Sequence, residues 1–393
     1  MATSGSRKGD TVNVTVVGGL GKLGSVIAKH IGRYYPVRIA DIKPGGEPTS
    51  EATKDADIVL VIVNTPSLAD GQYDVANVCA ACAKIDLSMW RLVIIASTVN
   101  PGDVEGAIRA SLEQGGKRAH WDFGLAYVPE FVRQGSVLED FARPEYIIAG
   151  CVAEIEYSAL SEFYWNVCRT EPTFMSIQSA EIAKLGLNTA ITAKLAKANE
   201  IAWLCQRTPG ADARDVLGAI GRDSRIGTKY FKAGPPPGGP CFPRDNLAFV
   251  AAWRNTGLGV CWGQGVQWWE FLQLVQMAMM VRREGSCEHP RFGVAGLAFK
   301  PDVVDDTESP GRRLAELLGA ETYDPHLPSS CATLEELVDK SDVIVLAMPF
   351  DGLEWLHNLD LTGKTVWDWW GMIADGQSAF RGRYRRFGKG PEC

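Results

Sequence analysis

The sequence predicts an α/β protein with two Rossmann-like, doubly wound domains, which are joined by a helical central region with one long helix. Short apolar strand patterns alternate with helical patterns in the first and last thirds of the chain, which is typical of parallel sheets. Between these parts, residues 179–205 carry one uninterrupted helical pattern. We therefore expect three domains, at residues 1–178, 179–285 and 286–393.

The individual elements support this division. Six short apolar segments in the first domain predict strands, which end near Val17, Asp41, Val63, Thr98, Tyr127 and Gly150. A Gly/Pro-rich loop at 234–243 separates the long helix from a second helical pattern at about 263–283. The segment SDVIVLAMPF at 341–350 is similar to ADIVLVIVNTP at 56–66, so both α/β domains are expected to be connected in the same way.

Composition limits the function classes. The chain has 393 residues, 46% of them hydrophobic, and a formal net charge of −7, which disfavours nucleic acid as a general partner. No apolar stretch reaches the ~18 residues of a membrane span. The amino-terminal stretch is polar and lacks the apolar core of a signal peptide, and ten cysteines are scattered without a framework, which favours the cytoplasm. Cys79 and Cys82 form a CxxC in an Ala-rich helical pattern, which we interpret as core thiols and not as a metal site.

A glycine-rich turn follows the first predicted strand. The GxGxxG pattern between this strand and the next helix comprises Gly19, Leu20, Gly21, Leu23 and Gly24. Its glycines permit a tight turn and a close approach of the backbone to a pyrophosphate, whose charge is stabilised at the helix N-terminus. Asp41 ends the second strand about 20 residues later, where a carboxylate binds both ribose hydroxyls and repels a 2′-phosphate. The pattern predicts NAD as the cofactor, with Lys43 weakening the preference over NADP.

Six segments follow one another along nearly the whole chain. They read NTPSLADGQYD (64–74), ASTVNPG (96–102), VPEFVRQGSVLEDFARPEYIIAG (128–150), AEIAKLGLNTAITAKLAKANE (180–200), DSRIGTKYFKAGPPPGGPCFPRD (223–245) and GLAFKPDVVDDTESP (296–310). In this order they are similar to the UDP-glucose / UDP-N-acetylmannosamine / GDP-mannose dehydrogenase family. The resemblance implies an NAD-dependent four-electron oxidation of the C6 primary alcohol of a nucleotide sugar, with a UDP-hexose as first choice, to the uronic acid.

The residues in these segments agree with that chemistry. The oxidation removes two hydrides, and a cysteine thiolate holds the intermediate aldehyde as a thiohemiacetal and then as a thioester. We predict Cys241 in this role, because packing does not require a cysteine on its Gly/Pro-rich loop. Lys184 and Asn188 lie four residues apart and share one helix face, where they can stabilise an oxyanion. By resemblance the catalytic set also contains Glu130 as general base of hydrolysis, Asp245 as the carboxylate that orders a water or tunes the lysine, and Thr98.

The resemblance also implies the binding residues. For NAD, it adds Thr65, Ser97 and Thr98 to the glycine-rich turn and Asp41. For the nucleotide sugar, which the third domain is expected to bind, it adds Phe131, Val132, Arg133, Lys184, Arg225, Gly239, Phe299 and Lys300. Arg225 matches an arginine that reaches the sugar of a neighbouring subunit. We therefore expect a homodimer or larger homo-oligomer whose interface uses the helical middle.

Four departures from the family pattern leave the substrate open. Pro235–Pro237 replace a stretch that commonly contains a tyrosine, Arg244 replaces a lysine, Thr307 replaces an arginine, and Asp368–Gly371 stands where D-x-R-N is frequent. Three alternatives follow: the same chemistry on a nucleoside-linked or other glycoside, a two-electron β-hydroxyacid-type dehydrogenase, and a binding protein without turnover. The two-electron class lacks the nucleophilic cysteine and the second α/β domain, and loss of turnover does not explain an intact catalytic set.

Overall fold

A computed structural model of the protein describes residues 11–284, 288–373 and 381–391. The chain forms two compact units, Met1–Gly186 and Leu187–Cys393. Among the described helices, none combines the length and the apolar character that a membrane span requires.

The first unit is built around a seven-stranded sheet. Its strands are β1 (Val14–Val17), β2 (Val37–Ala40), β3 (Ile58–Val61), β4 (Leu92–Ile95), β5 (Gly124–Tyr127), β6 (Ile147–Gly150) and β7 (Pro172–Met175). Its helices are α1 (Lys22–Ile31), α2 (Thr49–Ala52), α3 (Ala76–Cys82), α4 (Arg109–Leu112), α5 (Val137–Ala142) and α6 (Glu154–Cys168). The strand order is β2-β1-β3-β4-β5-β6-β7, and all neighbours are parallel except β5 and β6.

This sheet is buried on both faces. Alternate residues of one strand enter two different apolar clusters: Val14 and Val16 of β1 pack in one, and Val17 packs in the other. Strands that are covered on both sides read as continuous apolar runs, which is why the sequence reveals them. In the sheet β1 lies between β2 and β3, so successive strands are added on one side of β1 and then on the other. The crevice at the carboxyl ends of such strands is where doubly wound folds bind ligands.

The second unit contains a five-stranded parallel sheet in the order β12-β11-β10-β8-β9. Its strands are β8 (Phe292–Ala295), β9 (Glu321–Tyr323), β10 (Val343–Leu346), β11 (Thr365–Asp368) and β12 (Arg383–Arg386). Two helices belong to this sheet, α11 (Pro310–Leu318) and α12 (Leu334–Lys340). Here β8 lies between β9 and β10, so the carboxyl end of β8 is the switch point of this sheet.

Helices dominate the middle of the chain. The longest is α7 (Ile177–Arg207), with 31 residues, which begins before Gly186 and continues into the second unit. It is followed by α8 (Ala213–Gly221), α9 (Phe242–Asn255) and α10 (Trp262–Arg282). Side chains of α7 and α10 share one apolar cluster with β8, β10 and β11, including the buried Trp367 and Trp369. The predicted fold, with two Rossmann-like sheets and a long central helix, is confirmed. The division into three domains stays a prediction.

Candidate active site

The glycine-rich turn after β1 forms a close-packed cradle. Gly18 has φ +86°, and a Cβ at this position would lie 2.4 Å from the carbonyl oxygen of Ile62. At Gly24 a Cβ would lie 2.2 Å from the carbonyl oxygen of Gly18. Gly21 is the N-cap residue of α1, so the first N–H groups of this helix begin at the carboxyl end of β1. Such a turn fits the pyrophosphate of a dinucleotide, because backbone and helix dipole meet the negative charge without side chains in between.

Asp41, directly after β2, is fixed to this turn. Its Oδ2 accepts a hydrogen bond of 2.8 Å from the N–H of Leu20, and its Oδ1 accepts one of 3.0 Å from the N–H of Lys43. The Lys43 ammonium in turn donates to the carbonyl oxygen of Leu20 at 3.1 Å. Each carboxylate oxygen has two acceptor sites, so these bonds leave capacity for ribose hydroxyls. Leu23, in the first turn of α1, is 37% exposed.

The three predicted hydroxyl residues lie at the ends of β3 and β4. Buried Ser97 accepts a hydrogen bond from the N–H of Val63 at 2.9 Å and donates to its carbonyl oxygen at 2.8 Å. Thr65 donates to the carbonyl oxygen of Thr98 at 2.8 Å, and Thr98 itself is half-buried. Thr65 and Ser97 therefore join the two strand ends next to the switch point. Their contacts with a cofactor stay predictions.

Glu130, three residues after β5, has a perturbed carboxyl group. Burial raises the pKa of Glu130 to about 7, and the positive charge of Lys184 partly opposes this rise. Its Oε1 is buried and receives no hydrogen bond within the described residues. The Lys184 ammonium donates to the backbone carbonyl of Glu130 at 2.7 Å and lies 5.0 Å from the ring centroid of Phe131. A carboxyl group that titrates near neutral pH is suited to general-base catalysis.

The segment after Glu130 is fixed by an ion pair. Arg133 is exposed, and its guanidinium Nη2 lies 2.6 Å from Oδ1 of Asp140. Hydrogen bonds from the Arg133 side chain lower the pKa of Asp140 to about 2. Phe131 and Val132 are half-buried. The sequence did not reveal that Asp140 takes up the Arg133 side chain. The predicted substrate contacts of Phe131, Val132 and Arg133 stay predictions.

In the second unit, Cys241 lies at the N-terminus of α9. It is exposed and occupies the N-cap position, and its carbonyl oxygen accepts a bond of 2.9 Å from the N–H of Asp245. The Asn188 side-chain amide donates to Oδ2 of Asp245, which is 3% exposed. A thiolate at a helix N-terminus is stabilised by the N–H groups and the helix dipole. This placement of Cys241 fits a nucleophile.

The loop before Cys241 packs on the residues that follow β8. Gly239 has φ +84°, and a Cβ there would lie 2.6 Å from the ring of Phe299. The Gly239 N–H donates to the carbonyl oxygen of Thr307 at 2.9 Å. At Gly238 a Cβ would lie 2.5 Å from the carbonyl oxygen of Glu308. The two glycines are therefore required by close packing at the switch point of the second sheet.

The predicted site residues form local contacts within each unit. Glu130, Phe131 and Lys184 are in mutual contact in the first unit. In the second unit Asn188 and Asp245 are in contact next to Cys241, and Lys300 is half-buried beside Phe299. Arg225 is 86% exposed and pairs at 2.6 Å with Asp223, which leaves it accessible at the surface. Gly18 belongs to the cradle and was missed, although the glycine pair at 18–19 directly after an apolar strand is a signal for it.

Comparison with known proteins identifies the family of this chain. Residues 46–168 match the NAD binding domain of the UDP-glucose/GDP-mannose dehydrogenase family, and residues 178–267 match its central domain. A UDP-glucose 6-dehydrogenase of Rhizobium meliloti is 31% identical over 319 residues, which are 73% of this chain and 68% of that relative. The chain belongs to the UDP-glucose/GDP-mannose dehydrogenase family. Its first unit therefore contains the NAD-binding domain of this family, which agrees with the cradle of Gly18 and Gly24 and with the position of Asp41.

Two further proteins of this kind are similar to the chain over most of its length. A UDP-glucose 6-dehydrogenase of Haloferax volcanii is 32% identical over 286 residues, which are 69% of this chain and 66% of that relative, slightly less than two thirds of its length. A solved structure of a UDP-glucose dehydrogenase from Pyrobaculum islandicum is similar with a TM-score of 0.84 and 28% identity, over 98% of this chain and 99% of that chain.

The departures from the family pattern are built into the packing. Pro235 and Pro236 are buried, and Trp370 lies beside Gly234, where a Cβ would be 3.7 Å from its ring. The Lys232 ammonium lies 4.8 Å from the ring centroid of Trp370. Thr307 contributes its backbone carbonyl to the Cys241 loop. An aromatic and cationic pair thus lies close to the end of β11, in the region where the family pattern has D-x-R-N.

Proposed function

We propose that this family member oxidises the C6 alcohol of a nucleotide sugar to the acid in two successive oxidations, with Cys241 as covalent nucleophile. The observation that carries the proposal is the exposed Cys241 thiol at the N-terminus of α9, next to the contact of Asn188 with Asp245. The glycine cradle and Asp41 would hold NAD⁺, which would supply the hydride acceptor for both oxidations. A UDP-hexose is the preferred candidate, because the relatives named above are UDP-glucose dehydrogenases.

The residues divide the work as follows. The alcohol loses a hydride and its hydroxyl proton to give the aldehyde. The Cys241 thiol then adds to the aldehyde: its sulfur bonds to the carbon, the C=O π bond breaks, and the oxygen takes up the proton that the thiol loses. The resulting thiohemiacetal loses a second hydride and its hydroxyl proton to give a thioester. Water attacks the thioester, Glu130 takes a proton of that water, and the carbon–sulfur bond breaks to release the acid and the Cys241 thiolate, which regains its proton from Glu130. Lys184 and Asn188 stabilise the oxyanions of these tetrahedral species.

The experiment that tests the proposal counts NADH per substrate. Purified protein is incubated with NAD⁺ and UDP-, GDP- and nucleoside-linked hexoses, and absorbance at ~340 nm is followed, which is the ordinary signal of a nicotinamide enzyme. We expect two NADH per molecule of acid with a UDP-hexose. A substrate that yields one NADH and a ketone or aldehyde as final product indicates the two-electron class. If only a nucleoside-linked glycoside yields two NADH, the proposed chemistry is supported but the substrate is that glycoside and not a UDP-hexose.

Cys241→Ser provides the decisive variant, and Cys79→Ser the matched control. A serine hydroxyl ionises far less readily than a thiol, so Cys241→Ser should keep the first hydride transfer and lose the acid, by a factor of ~10² or more. Cys79 is a half-buried thiol on α3, and its replacement should leave both oxidations unchanged. Acid formation by Cys241→Ser at the wild-type rate would refute covalent catalysis at this residue.

We also propose a homodimer or larger homo-oligomer with an interface on the central helices. Large apolar side chains on this surface are exposed: Leu204 of α7 by 69%, and Trp268 and Met279 of α10 by 67% and 52%. Leu204 and Met279 line one common pocket, and exposed apolar side chains that lie together are typical of an interface between subunits. Light scattering should show more than one chain per particle, and Leu204→Glu should dissociate it. A monodisperse, fully active monomer would refute this assembly and the subunit-bridging role of Arg225.

The proposed location is the cytoplasm. No disulfide joins the cysteines in the part of the chain that the structure describes. Reduced thiols and a thiol nucleophile fit a reducing compartment. Fractionation of cells that express the protein tests this, and recovery in the extracytoplasmic fraction would contradict it.

A further inference from the structure

Three polar side chains on one face of α7 contact the segment that carries Cys241. Asn188, Thr192 and Asn199 are spaced by four and seven residues, so at 3.6 residues per turn they point in directions within about 40° of one another. Their partners are Asp245, Asn246 and Gly234, which lie at the two ends of segment 234–246. One helix face therefore holds both ends of the loop.

The contact at the far end fixes the first turns of α9. Thr192 is fully buried, and its hydroxyl donates to Oδ1 of Asn246 at 3.0 Å. Asn246 is 1% exposed. Together with the bond from Asn188 to Asp245, this contact sets the position of the helix whose N-cap is Cys241.

The contact at the near end depends on Asn199. Asn199 is 1% exposed, and its Oδ1 accepts a hydrogen bond of 2.9 Å from the N–H of Gly234. Its amide Nδ2 donates to Oε1 of Gln273 on α10 at 3.1 Å. Gln273 is 2% exposed, and its Nε2 finds no hydrogen-bond partner within the described residues. Asn199 is thus held by α10 and in turn holds the start of the loop.

The proline run leaves the loop with few backbone hydrogen-bond donors, which makes the bond from Gly234 to Asn199 important for holding it. Pro235–Pro237 and Pro240 have no backbone N–H, so within residues 234–241 only Gly234, Gly238, Gly239 and Cys241 offer backbone donors. The N–H of Gly234 is bound by Asn199 and that of Gly239 by the carbonyl oxygen of Thr307. Because proline also fixes φ, each proline of the run keeps only ψ as a free backbone torsion, so the anchor at Gly234 restricts where the run and the segment after it can lie.

We propose that Asn199 is a positioning residue of the second oxidation, which acts by holding the Cys241 loop through Gly234. The inference rests on the proposed function, because it assigns to Asn199 the placement of the nucleophile. Asn199 touches neither substrate nor cofactor in this role. Its loss should therefore reduce the rate of steps that need the thiol and leave the others nearly unchanged.

The first variant is Asn199→Ala. A misplacement of about 1 Å at a reacting group costs roughly 100-fold in rate, so kcat for acid formation should fall by that factor. The first hydride transfer and the KM values for the nucleotide sugar and NAD⁺ should stay within about threefold of wild type, since the ground-state contacts are retained. Aldehyde should accumulate. Asn199→Leu, which has similar size and no acceptor, should behave in the same way.

Rescue by a conservative variant separates positioning from general destabilisation. In Asn199→Asp the new carboxylate accepts the Gly234 N–H, and the Gln273 amide can turn so that its unpaired Nε2 donates to the carboxylate. This variant should recover most of the acid-forming rate. Gln273→Met is a milder perturbation: Gly234 stays bonded to Asn199, but Asn199 loses its hydrogen bond to Gln273. This variant replaces Asn199→Ala in the test if Asn199→Ala does not fold. Asn166→Ala is the control, since the Asn166 amide on α6 donates to the Tyr35 hydroxyl at 2.9 Å, outside this segment.

A second readout does not depend on turnover. The rate of alkylation of Cys241 by iodoacetamide, measured on the Cys241 peptide by mass spectrometry, should change severalfold in Asn199→Ala and Gln273→Met and return to the wild-type value in Asn199→Asp. An unchanged alkylation rate in the first two variants, or an equal loss of both oxidations with altered KM values, would overturn the role of Asn199. Failure of the proposed function appears differently, as a wild-type protein that forms no acid or whose acid formation survives Cys241→Ser.

Discussion

Glu130→Gln should stop the reaction after both hydrides have left and before the acid is released. In the wild type the carboxylate accepts a proton from the attacking water, and a glutamine amide has no basic oxygen of comparable strength. General-base catalysis contributes typically 10²–10⁴-fold, so thioester hydrolysis should slow by about that factor. The two hydride transfers need the Cys241 thiol and the cofactor, and they should remain fast. Cys241 should therefore stay acylated.

The pKa of Glu130 sets how the rate of thioester hydrolysis depends on pH. Burial raises the pKa of Glu130 to about 7, and Lys184 prevents a larger rise. The base is active when ionised, so about half of the molecules are competent at pH 7 and about one tenth at pH 6. Wild-type hydrolysis should rise roughly tenfold per pH unit below 7 and level off above 8. In Lys184→Met the opposing charge is lost, and the midpoint should move to higher pH.

Rapid mixing and mass spectrometry measure these effects. Glu130→Gln mixed with NAD⁺ and the nucleotide sugar should give a burst of two NADH per active site, followed by a slow steady state. The intact mass should increase by that of the acyl group, and fragmentation should place the adduct on Cys241. Steady-state turnover of Glu130→Gln near the wild-type rate, or a wild-type profile without a transition near pH 7, would refute the assignment of Glu130 as the hydrolytic base.

Three further predictions concern other parts of the chain. Asp41→Asn should lower the ratio of kcat/KM for NAD⁺ to that for NADP⁺ by at least about tenfold, because hydrogen bonds to a charged group contribute about 1.5–3 kcal/mol; an unchanged ratio would contradict the role of Asp41. Gly239→Ala should lower thermal stability and activity together, since φ +84° and a Cβ at 2.6 Å from Phe299 cost on the order of 1–3 kcal/mol, and a variant with the wild-type melting temperature would show that the loop is not packed in this way. Burial raises the pKa of Glu270 from 4.5 to about 8, with Arg313 partly opposing, so the folded protein retains a proton that the unfolded chain releases, and stability falls as pH rises from 4.5 to 8. Glu270→Gln should therefore raise the melting temperature at pH 8, by a free energy on the order of a few kcal/mol, and leave it unchanged near pH 4.5; an equal change at both pH values would contradict the reasoning.

The sequence predicted the elements whose pattern is local. Strands such as β3 and β10 are covered on both faces, so they appear as continuous apolar runs between turn residues. The helix at Ile177–Arg207 was predicted at 179–205, because no proline interrupts its pattern. The glycine turn, Asp41 and Cys241 were proposed as site residues because their chemistry depends on residue type and spacing, and their roles stay predictions. Family membership, which the resemblance of six segments predicted, is confirmed by the family match and the relatives.

Other features were decided only by the tertiary structure. The near-neutral pKa of Glu130 arises from burial of its carboxyl group among residues that are distant in sequence, and no local pattern encodes that burial. The pairing of Arg133 with Asp140 and the use of the Ser97 hydroxyl between two strand ends likewise depend on which side chains meet after folding.

The role of Asn199 shows the same limit most clearly. In the sequence it is one polar residue on a long helix, eleven positions from Asn188. It becomes a ligand of the Cys241 loop because α7 returns to the same direction after three turns and because the proline run leaves Gly234 as one of few backbone donors. Residue type and spacing thus determined the fold class and the family of this protein, and they predict its chemistry. The folded chain alone determined which groups are buried, which are paired, and how the nucleophile is held, because desolvation and hydrogen bonding depend on neighbours that sequence distance does not reveal.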